Sequence, residues 1–275
     1  MTHHPFDAAL QLVPLHPASG SFAGNTSPAY ENMVGPYGGI TAAVLVQAVT
    51  QHPECLGEMA ALTVNYASGV APGPFRITAT PARTNRSTQH WVISLLQVNK
   101  AGVEETVITA TALTAVRRGT WQANDMPMPK VPGPDALART RVNAPMQWLN
   151  RYDMRFVQGE IPQAMDGQGT DSLSQLWVQD DPPRLLDAAG LAALCDVFYP
   201  RVYLRRATRV PAGTVSMTVY IHASTAEMAE IGLSYLFAQA QAQVFRHGFF
   251  DQSAQLWSRS GTLLATSHQL VYYKE

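Results

Sequence analysis

The stretch LLDAAGLAALCDVFYP, residues 185–200, decides the fold of this 275-residue chain. Between Ala188 and Phe198 nearly every residue is small or apolar, and we predict a helix near residues 185–198. Its apolar side chains go right round the helical wheel, which is typical of a helix buried on all sides. Asp196 is the one carboxylate between those two residues. A lone carboxylate in such a helix is costly unless it is paired or hydrogen-bonded.

A second segment of the same kind, GGITAAVLVQAV, lies in the first half of the chain at residues 38–49. Gly38 and Gly39 bring the chain tightly into a helix that we predict near residues 40–51, ahead of Pro53. Each helix is followed by runs rich in β-branched and aromatic residues with short turns between them, a pattern that predicts antiparallel strands. The sequence therefore predicts an α+β fold built from a duplicated unit.

The segment between the two repeats is rich in proline. Residues 119–135, GTWQANDMPMPKVPGPD, have no helix or strand periodicity and are typical of a linker. We therefore divide the chain into a first unit at residues 1–118, a linker at 119–145 and a second unit at 146–275. At 275 residues the chain has room for two units of roughly 130 residues each.

Composition narrows the functional classes. The net charge is −1 with 14% charged residues and no basic runs, so a nucleic-acid or anionic-membrane partner has no electrostatic support. Cys55, Cys195 and the eight histidines form no metal or disulfide spacing, and we expect no metal and no cofactor. We find no signal-peptide pattern and no apolar stretch long enough to span a membrane, and therefore expect a cytoplasmic protein.

The two halves differ at a few positions when they are laid over each other. Three positions are polar in the second half and apolar in the first: Asp196 against Val49, Gln269 against Leu113, and Thr214 near Met59. If these polar residues were needed for folding, both halves should carry them. The asymmetry therefore favours a single functional site built from the second half.

Three such groups suit a hydrolytic reaction. A carboxylate in apolar surroundings has a raised pKa and can act as a general base near neutral pH. A glutamine amide and a threonine hydroxyl each offer a donor and an acceptor, and can hold a water molecule. The backbone N–H groups of Gly38 and Gly39 are candidates for binding a substrate oxygen. Alternatively, these glycines serve only the tight entry into the helix.

The chain resembles the acyl-CoA thioesterase II family. The resemblance runs through most of the chain, in the segments GGITAAVLVQAV, MPMPKVPGPDAL, CDVFYP, TVSMTVYIH and GTLLATSHQLVYYK. It implies a double hot-dog fold and hydrolysis of acyl-CoA to a free acid and CoA, in fatty acid metabolism, without metal or cofactor. It also implies that Asp196, Thr214 and Gln269 together orient the hydrolytic water.

Two other functions stay open at this stage. A hydratase on the same fold would need a histidine beside the aspartate, and LCDVFYP has none. A non-catalytic acyl-CoA-binding or scaffolding protein would use the polar residues only as a buried hydrogen-bonded network. Because each half ends in an exposed sheet edge, we also expect a homo-oligomer, a dimer of double hot-dogs.

Overall fold

The computed structural model describes residues 3–16, 19–141 and 145–275. Within these residues the α-helices are short except for one. They are α1 (Pro5–Ala9), α2 (Gly38–Thr50), α3 (Ala188–Leu194), α4 (Arg201–Arg206) and α5 (Thr225–Ile231). Single 3₁₀ turns occur in the connections, at Pro28–Tyr30, Pro134–Ala136 and Gln147–Arg151. None of the described helices is long and apolar enough to cross a membrane.

The described strands form one antiparallel sheet. Those of the first half are β1 (Val13–Pro14), β2 (Ser21–Asn25), β3 (Glu58–Tyr66), β4 (Pro74–Thr84), β5 (Thr88–Val98) and β6 (Glu104–Ala115). Those of the second half are β7 (Tyr152–Gln158), β8 (Ser174–Asp180), β9 (Ala212–Ile221), β10 (Leu236–Gln241), β11 (Phe245–Arg246), β12 (Phe249–Trp257) and β13 (Leu263–Tyr273).

The order of the strands repeats from one half to the other. Across the sheet the order is β1-β2-β4-β5-β6-β3-β9-β13-β12-β10-β8-β7, and β11 pairs with β12. Counted outward from the centre, the first half uses its third, sixth, fifth, fourth, second and first strands. The second half, without the short β11, uses its strands in the same order. The chain is therefore a duplicated α+β unit, as the repeat in the sequence predicts.

The two halves join where β3 pairs with β9. Ala61 lies opposite Tyr220 and Asn65 opposite Ser216, which makes the two half-sheets continuous. Between these pairs the hydroxyl oxygens of Thr63 and Thr218 are 3.0 Å apart. The joint is thus made of backbone hydrogen bonds and a polar pair on the outer face, while the apolar side chains point inward.

The inner face of the sheet packs around α2 and α3. Nearly all of α2 is buried, including Leu45, Ala48 and Val49, each fully removed from solvent. In α3 the residues Leu191, Ala192 and Ala193 are equally buried. This is why neither helix has a polar face, since each is covered by sheet on one side and by the other helix on the other.

The second buried helix is shorter than we predict from the sequence. We expect a helix near residues 185–198, whereas α3 runs from Ala188 to Leu194. Asp187 caps its start, its carboxylate accepting the Gly190 N–H at 2.7 Å. At its end the chain passes into a turn that contains Asp196. The aspartate thus lies just beyond the helix rather than in it, which frees its side chain to reach neighbouring strands.

The proline-rich segment packs on the outside of the second half-sheet. Trp177 donates its indole N–H to the carbonyl of Pro132 at 2.8 Å, and Trp257 donates to the carbonyl of Met126 at 3.0 Å. The segment has no strand between residues 119 and 135, and one 3₁₀ turn begins at Pro134. The division at residues 118 and 145 stays a prediction.

Candidate functional site

The two buried helices run antiparallel, so the start of α2 meets the end of α3. The Tyr37 hydroxyl, one residue ahead of α2, donates to the Ala193 carbonyl oxygen at 2.6 Å. A Cβ atom on Gly39 would lie 2.5 Å from that same oxygen and 2.5 Å from the Tyr37 ring. Only glycine therefore permits this approach of the helices, which is the structural role proposed for the glycine pair.

Asp196 lies at this junction with its carboxylate held from two sides. The amide Nε2 of Gln269 in β13 donates to Asp196 Oδ1 at 2.8 Å. The backbone N–H of Gly39, in the first turn of α2, faces the carboxylate and lowers its pKa. A Cβ atom on Gly38 would lie 2.7 Å from Asp196 Oδ2. Residues from both halves of the chain thus surround one carboxylate.

Thr214 reaches this group because of an irregularity in β9. The pairing of β9 with β13 is regular up to Ser216 and Leu270. Beyond this point Thr214, rather than Val215, lies opposite Val271. The unpaired residue, Val215, forms a β-bulge. The bulge turns Thr214 to the inner face, where Gln269 and Val271 also lie. There its hydroxyl donates to Gln269 Oε1 at 3.4 Å. Without the bulge, Thr214 would point outward like Thr218.

The structure therefore brings Asp196, Gln269 and Thr214 together. Gln269 is 3% exposed and lies between the other two, with its amide oxygen toward the threonine and its nitrogen toward the aspartate. The ionised carboxylate of Asp196 selects this orientation of the amide, because it can only accept hydrogen bonds, whereas a threonine hydroxyl can donate or accept. The Gln269 nitrogen also contacts Met217 Sδ at 3.4 Å, a weak acceptor.

One pairing in the sequence overlay was wrong by a residue. The first half has a matching bulge between Met59 and Ala61, and Ala61 pairs with Leu113 as Ser216 pairs with Leu270. The counterpart of Gln269 on the inner face is consequently Ala112, which is 6% exposed, rather than Leu113. Met59 matches Thr214 as expected. The first half is still apolar at each matching position, so the asymmetry stands.

Burial dominates the electrostatics of the site. It raises the pKa of Asp196 to about 7, and the hydrogen bond from Gln269 and the facing N–H of Gly39 oppose this rise. The start of α2 contributes in the same direction as these bonds, because a helix N-terminus stabilises a nearby anion. The carboxyl group can therefore hold or release a proton near neutral pH.

Two tyrosines complete the surroundings of Asp196, and the sequence analysis did not include them. Tyr66, at the end of β3, donates its hydroxyl to the Gly38 carbonyl oxygen at 2.9 Å. Tyr37 stacks on Trp148 with ring centroids 4.4 Å apart. In the sequence they look like the other tyrosines in strands and loops, so no sequence signal could have found them.

At the opposite ends of the two helices, the residues that the structure describes form no matching site. There Arg184 forms ion pairs with Asp7 of α1 at 2.7 Å and with Asp187 at 2.5 Å. Its guanidinium also lies 4.7 Å from the centre of the Phe6 ring. Helix α1 thus packs over the position that would be equivalent to the Asp196 junction. This agrees with a single site in the duplicated fold.

Comparisons with known proteins address the whole chain. A family model described as the acyl-CoA thioesterase N-terminal domain matches residues 8–115. A second one, described as the acyl-CoA thioesterase C-terminal domain, matches residues 124–273. Among curated proteins, none matches this chain.

Solved structures resemble the chain over its full length. A conserved protein of unknown function with a hot dog fold from Alicyclobacillus acidocaldarius is 43% identical, with a TM-score of 0.92, over 100% of this chain and 99% of that one. An acyl-CoA thioesterase II from Mycobacterium marinum is 15% identical, with a TM-score of 0.73 and 98% of each chain covered.

A dehydratase domain from Mycobacterium tuberculosis, in complex with C12:1-CoA, shares the fold at 12% identity and a TM-score of 0.56, over 99% of this chain and 100% of that one. The fold alone therefore does not decide between hydrolysis and dehydration. It does confirm the predicted double hot-dog architecture. With both of its halves matched by the family models, the chain belongs to the acyl-CoA thioesterase family.

Proposed function

We propose that this protein hydrolyses acyl-CoA thioesters to free acid and CoA, with Asp196 as the general base. The observation that carries the proposal is the hydrogen-bonded chain from Thr214 through Gln269 to Asp196 in a member of a thioesterase family. A pKa of about 7 suits a group that must accept a proton from water near neutral pH.

In this mechanism Asp196 takes a proton from a water molecule, whose oxygen attacks the thioester carbonyl carbon. One N–H of Gln269 is committed to Asp196, and the other faces only the Met217 sulfur. Because sulfur is a weak acceptor, this second N–H is available to the water. Thr214 fixes the amide and so orients the water indirectly.

The attack places negative charge on the thioester oxygen, which needs a donor. The first N–H groups of a helix have no partner within the helix. Because the Gly39 N–H already faces Asp196, the Gly38 N–H is the donor that we propose for this oxygen. The carbon–sulfur bond then breaks, and the CoA sulfur leaves with the proton that Asp196 returns.

A pocket lies on the side of α2 that faces the first half-sheet. It begins at Ile40, next to Gly39. Much of its lining is apolar, contributed by Ile40, Val44, Val70, Phe75 and Leu95. We propose this pocket for the acyl group.

We also propose self-association, through a surface other than the one expected. The terminal strands offer little free edge, because β1 has two residues and Thr140 of the linker donates to the Met154 carbonyl of β7. The outer face of the sheet instead exposes Tyr220, Leu270, Tyr272 and Phe249 by 38% or more. A homodimer through this face is consistent with these exposures, and light scattering in solution tests it.

The cytoplasm is the compartment that we propose. Both Cys55 and Cys195 are free thiols, which suits a reducing compartment. A role in fatty acid metabolism would follow from the substrate class.

Hydrolysis of a panel of acyl-CoAs by the purified protein tests the proposed activity, with Asp196→Asn as the site variant. We expect turnover in the wild type and a loss of about 10²–10⁴-fold in the variant, the usual worth of general acid–base assistance. Asp166→Asn is the control, because its carboxylate accepts only a local N–H in an exposed loop. Binding of acyl-CoA without turnover would favour the non-catalytic alternative, and hydration of enoyl-CoA would favour a hydratase.

A further inference from the structure

Tyr66 is a residue outside the proposed water-binding group that nevertheless reaches Asp196. It is the last residue of β3 and comes from the first half of the chain. Its hydroxyl donates to the carbonyl oxygen of Gly38 at 2.9 Å. A Cβ atom on Gly38 would lie 3.4 Å from this hydroxyl and 2.7 Å from Asp196 Oδ2. The phenol and the carboxylate therefore both approach the first turn of α2 at Gly38.

The two side chains hold opposite ends of one peptide group. The Gly38 carbonyl oxygen accepts the hydrogen bond from Tyr66, and the Gly39 N–H of the same peptide faces the Asp196 carboxylate. Because the peptide group is planar, holding its oxygen in place also sets the direction of its N–H. A donor at the carbonyl also polarises the peptide and strengthens its N–H as a donor.

We propose that Tyr66 is a positioning residue for thioester hydrolysis, acting on Asp196 through the Gly38–Gly39 peptide. The catalytic role of Tyr66 rests on the proposed function. Its effect on the pKa of Asp196 does not. Tyr66 stabilises the ionised carboxylate by aiming and strengthening the Gly39 N–H. Its loss would leave Gln269 as the main donor to that carboxylate.

The groups that face Asp196 explain why the Gly38–Gly39 peptide affects its pKa. They are Gln269 from β13, Tyr66 from β3, Tyr37 ahead of α2, Tyr152 from β7 and Cys195 in the same turn. None of these carries a positive charge, and burial raises the pKa of each of the three phenols further above its usual value. Of these groups only Gln269 donates to the carboxylate. The Gly39 N–H is the other neutral donor that faces it, so a change in this peptide is felt directly.

The test measures the titration of Asp196 itself. Carbon-13 NMR of aspartate-labelled protein gives the pKa of this carboxyl in the wild type and in Tyr66→Phe, which removes one oxygen atom and keeps the ring. We expect the pKa to rise by about 0.5–1 unit, the size of the effect of one neutral hydrogen bond. The control is Tyr152→Phe, whose buried hydroxyl has no hydrogen-bond partner and which should leave the titration unchanged.

An unchanged Asp196 titration in Tyr66→Phe, or an equal shift in both variants, would overturn the proposal. Steady-state kinetics then separate this result from the proposed function. In Tyr66→Phe we expect kcat below pH 7 to fall about 3–10-fold and to recover toward pH 9, with KM unchanged. If the wild type hydrolyses no acyl-CoA, the proposed function fails, while the NMR titration still decides the role of Tyr66.

Discussion

Gln269 donates a hydrogen bond to Asp196 over 2.8 Å, although the two residues are 73 positions apart in the chain. The bond joins the last strand to the turn after the second buried helix. It also fixes the amide nitrogen toward the carboxylate, which can only accept, and leaves the amide oxygen to accept from Thr214. The relation matters because Gln269 lowers the pKa of a carboxyl that burial raises, and so keeps it close to neutral pH.

The dependence of turnover on pH follows from the protonation of Asp196. Because burial raises its pKa to about 7, the carboxyl is mostly protonated at pH 6 and cannot accept a proton from water. We expect kcat to fall about tenfold per pH unit below pH 7 and to level off above pH 8. Initial rates between pH 5 and pH 9 check this. A flat profile across that range would rule out Asp196 as the titrating base.

Stability should respond to pH through the same group, with a definite sign. The folded-state pKa of Asp196, about 7, lies above the value of about 3.9 for an unfolded aspartate. The folded state thus binds the proton more tightly than the unfolded state does. The stabilisation from this bound proton is lost as the pH rises through 7. Asp196→Asn stays neutral, so at pH 8 it should melt at or above the wild-type temperature. Calorimetry of both proteins at pH 5 and pH 8 checks this, and a melting temperature of Asp196→Asn below that of the wild type at pH 8 would contradict it.

Gln269 and Thr214 should rank below Asp196 in their effect on turnover. Gln269→Ala removes the donor that orients the water but leaves the base, so we expect a loss of about 10–10²-fold in kcat. Thr214→Val removes the hydroxyl that hydrogen-bonds the Gln269 amide, and we expect a smaller loss in kcat. The matched control is Thr218→Val, in the same strand but on the outer face against Thr63. Steady-state kinetics of the three variants check the order, and an equal loss in Thr218→Val would refute it.

The two glycines at the start of α2 should separate activity from stability. In Gly38→Ala the new Cβ would lie 2.7 Å from Asp196 Oδ2 and displace the carboxylate, so we expect kcat to fall about 10²-fold. In Gly39→Ala the Cβ would meet the Ala193 carbonyl at 2.5 Å, which should cost about 1–3 kcal/mol of stability. Kinetics and urea unfolding of both variants test this, and the reverse assignment of the two losses would contradict it.

The acyl pocket predicts the effect of a bulkier side chain in α2. Val44 lines this pocket, and Val44→Phe would fill much of it. We expect kcat/KM to fall at least about tenfold for an eight-carbon acyl-CoA, because a methylene excluded from an apolar pocket costs roughly 1 kcal/mol. Acetyl-CoA should be hydrolysed nearly as before. Equal losses for both substrates would show that the acyl chain binds elsewhere.

The architecture is readable from local patterns in the sequence. Helices that are apolar all round must be buried, and short runs of β-branched residues with tight turns form antiparallel strands. Both features depend on the spacing of neighbouring residues, and they occur twice. The polar character of Asp196, Thr214 and Gln269 against apolar partners in the first half is also visible in one dimension.

The geometry of the site depends on the tertiary structure. The bulge in β9 turns Thr214 inward, the one-residue register of β13 places Gln269 rather than Leu270 on the inner face, and the end of α3 at Leu194 leaves Asp196 in a turn. Tyr66 and the Gly38–Gly39 peptide reach Asp196 only because the two helices pack antiparallel. Periodicity determines which side chains are buried. Which of the buried side chains meet is decided by strand register and helix packing, and these depend on contacts between residues far apart in the chain.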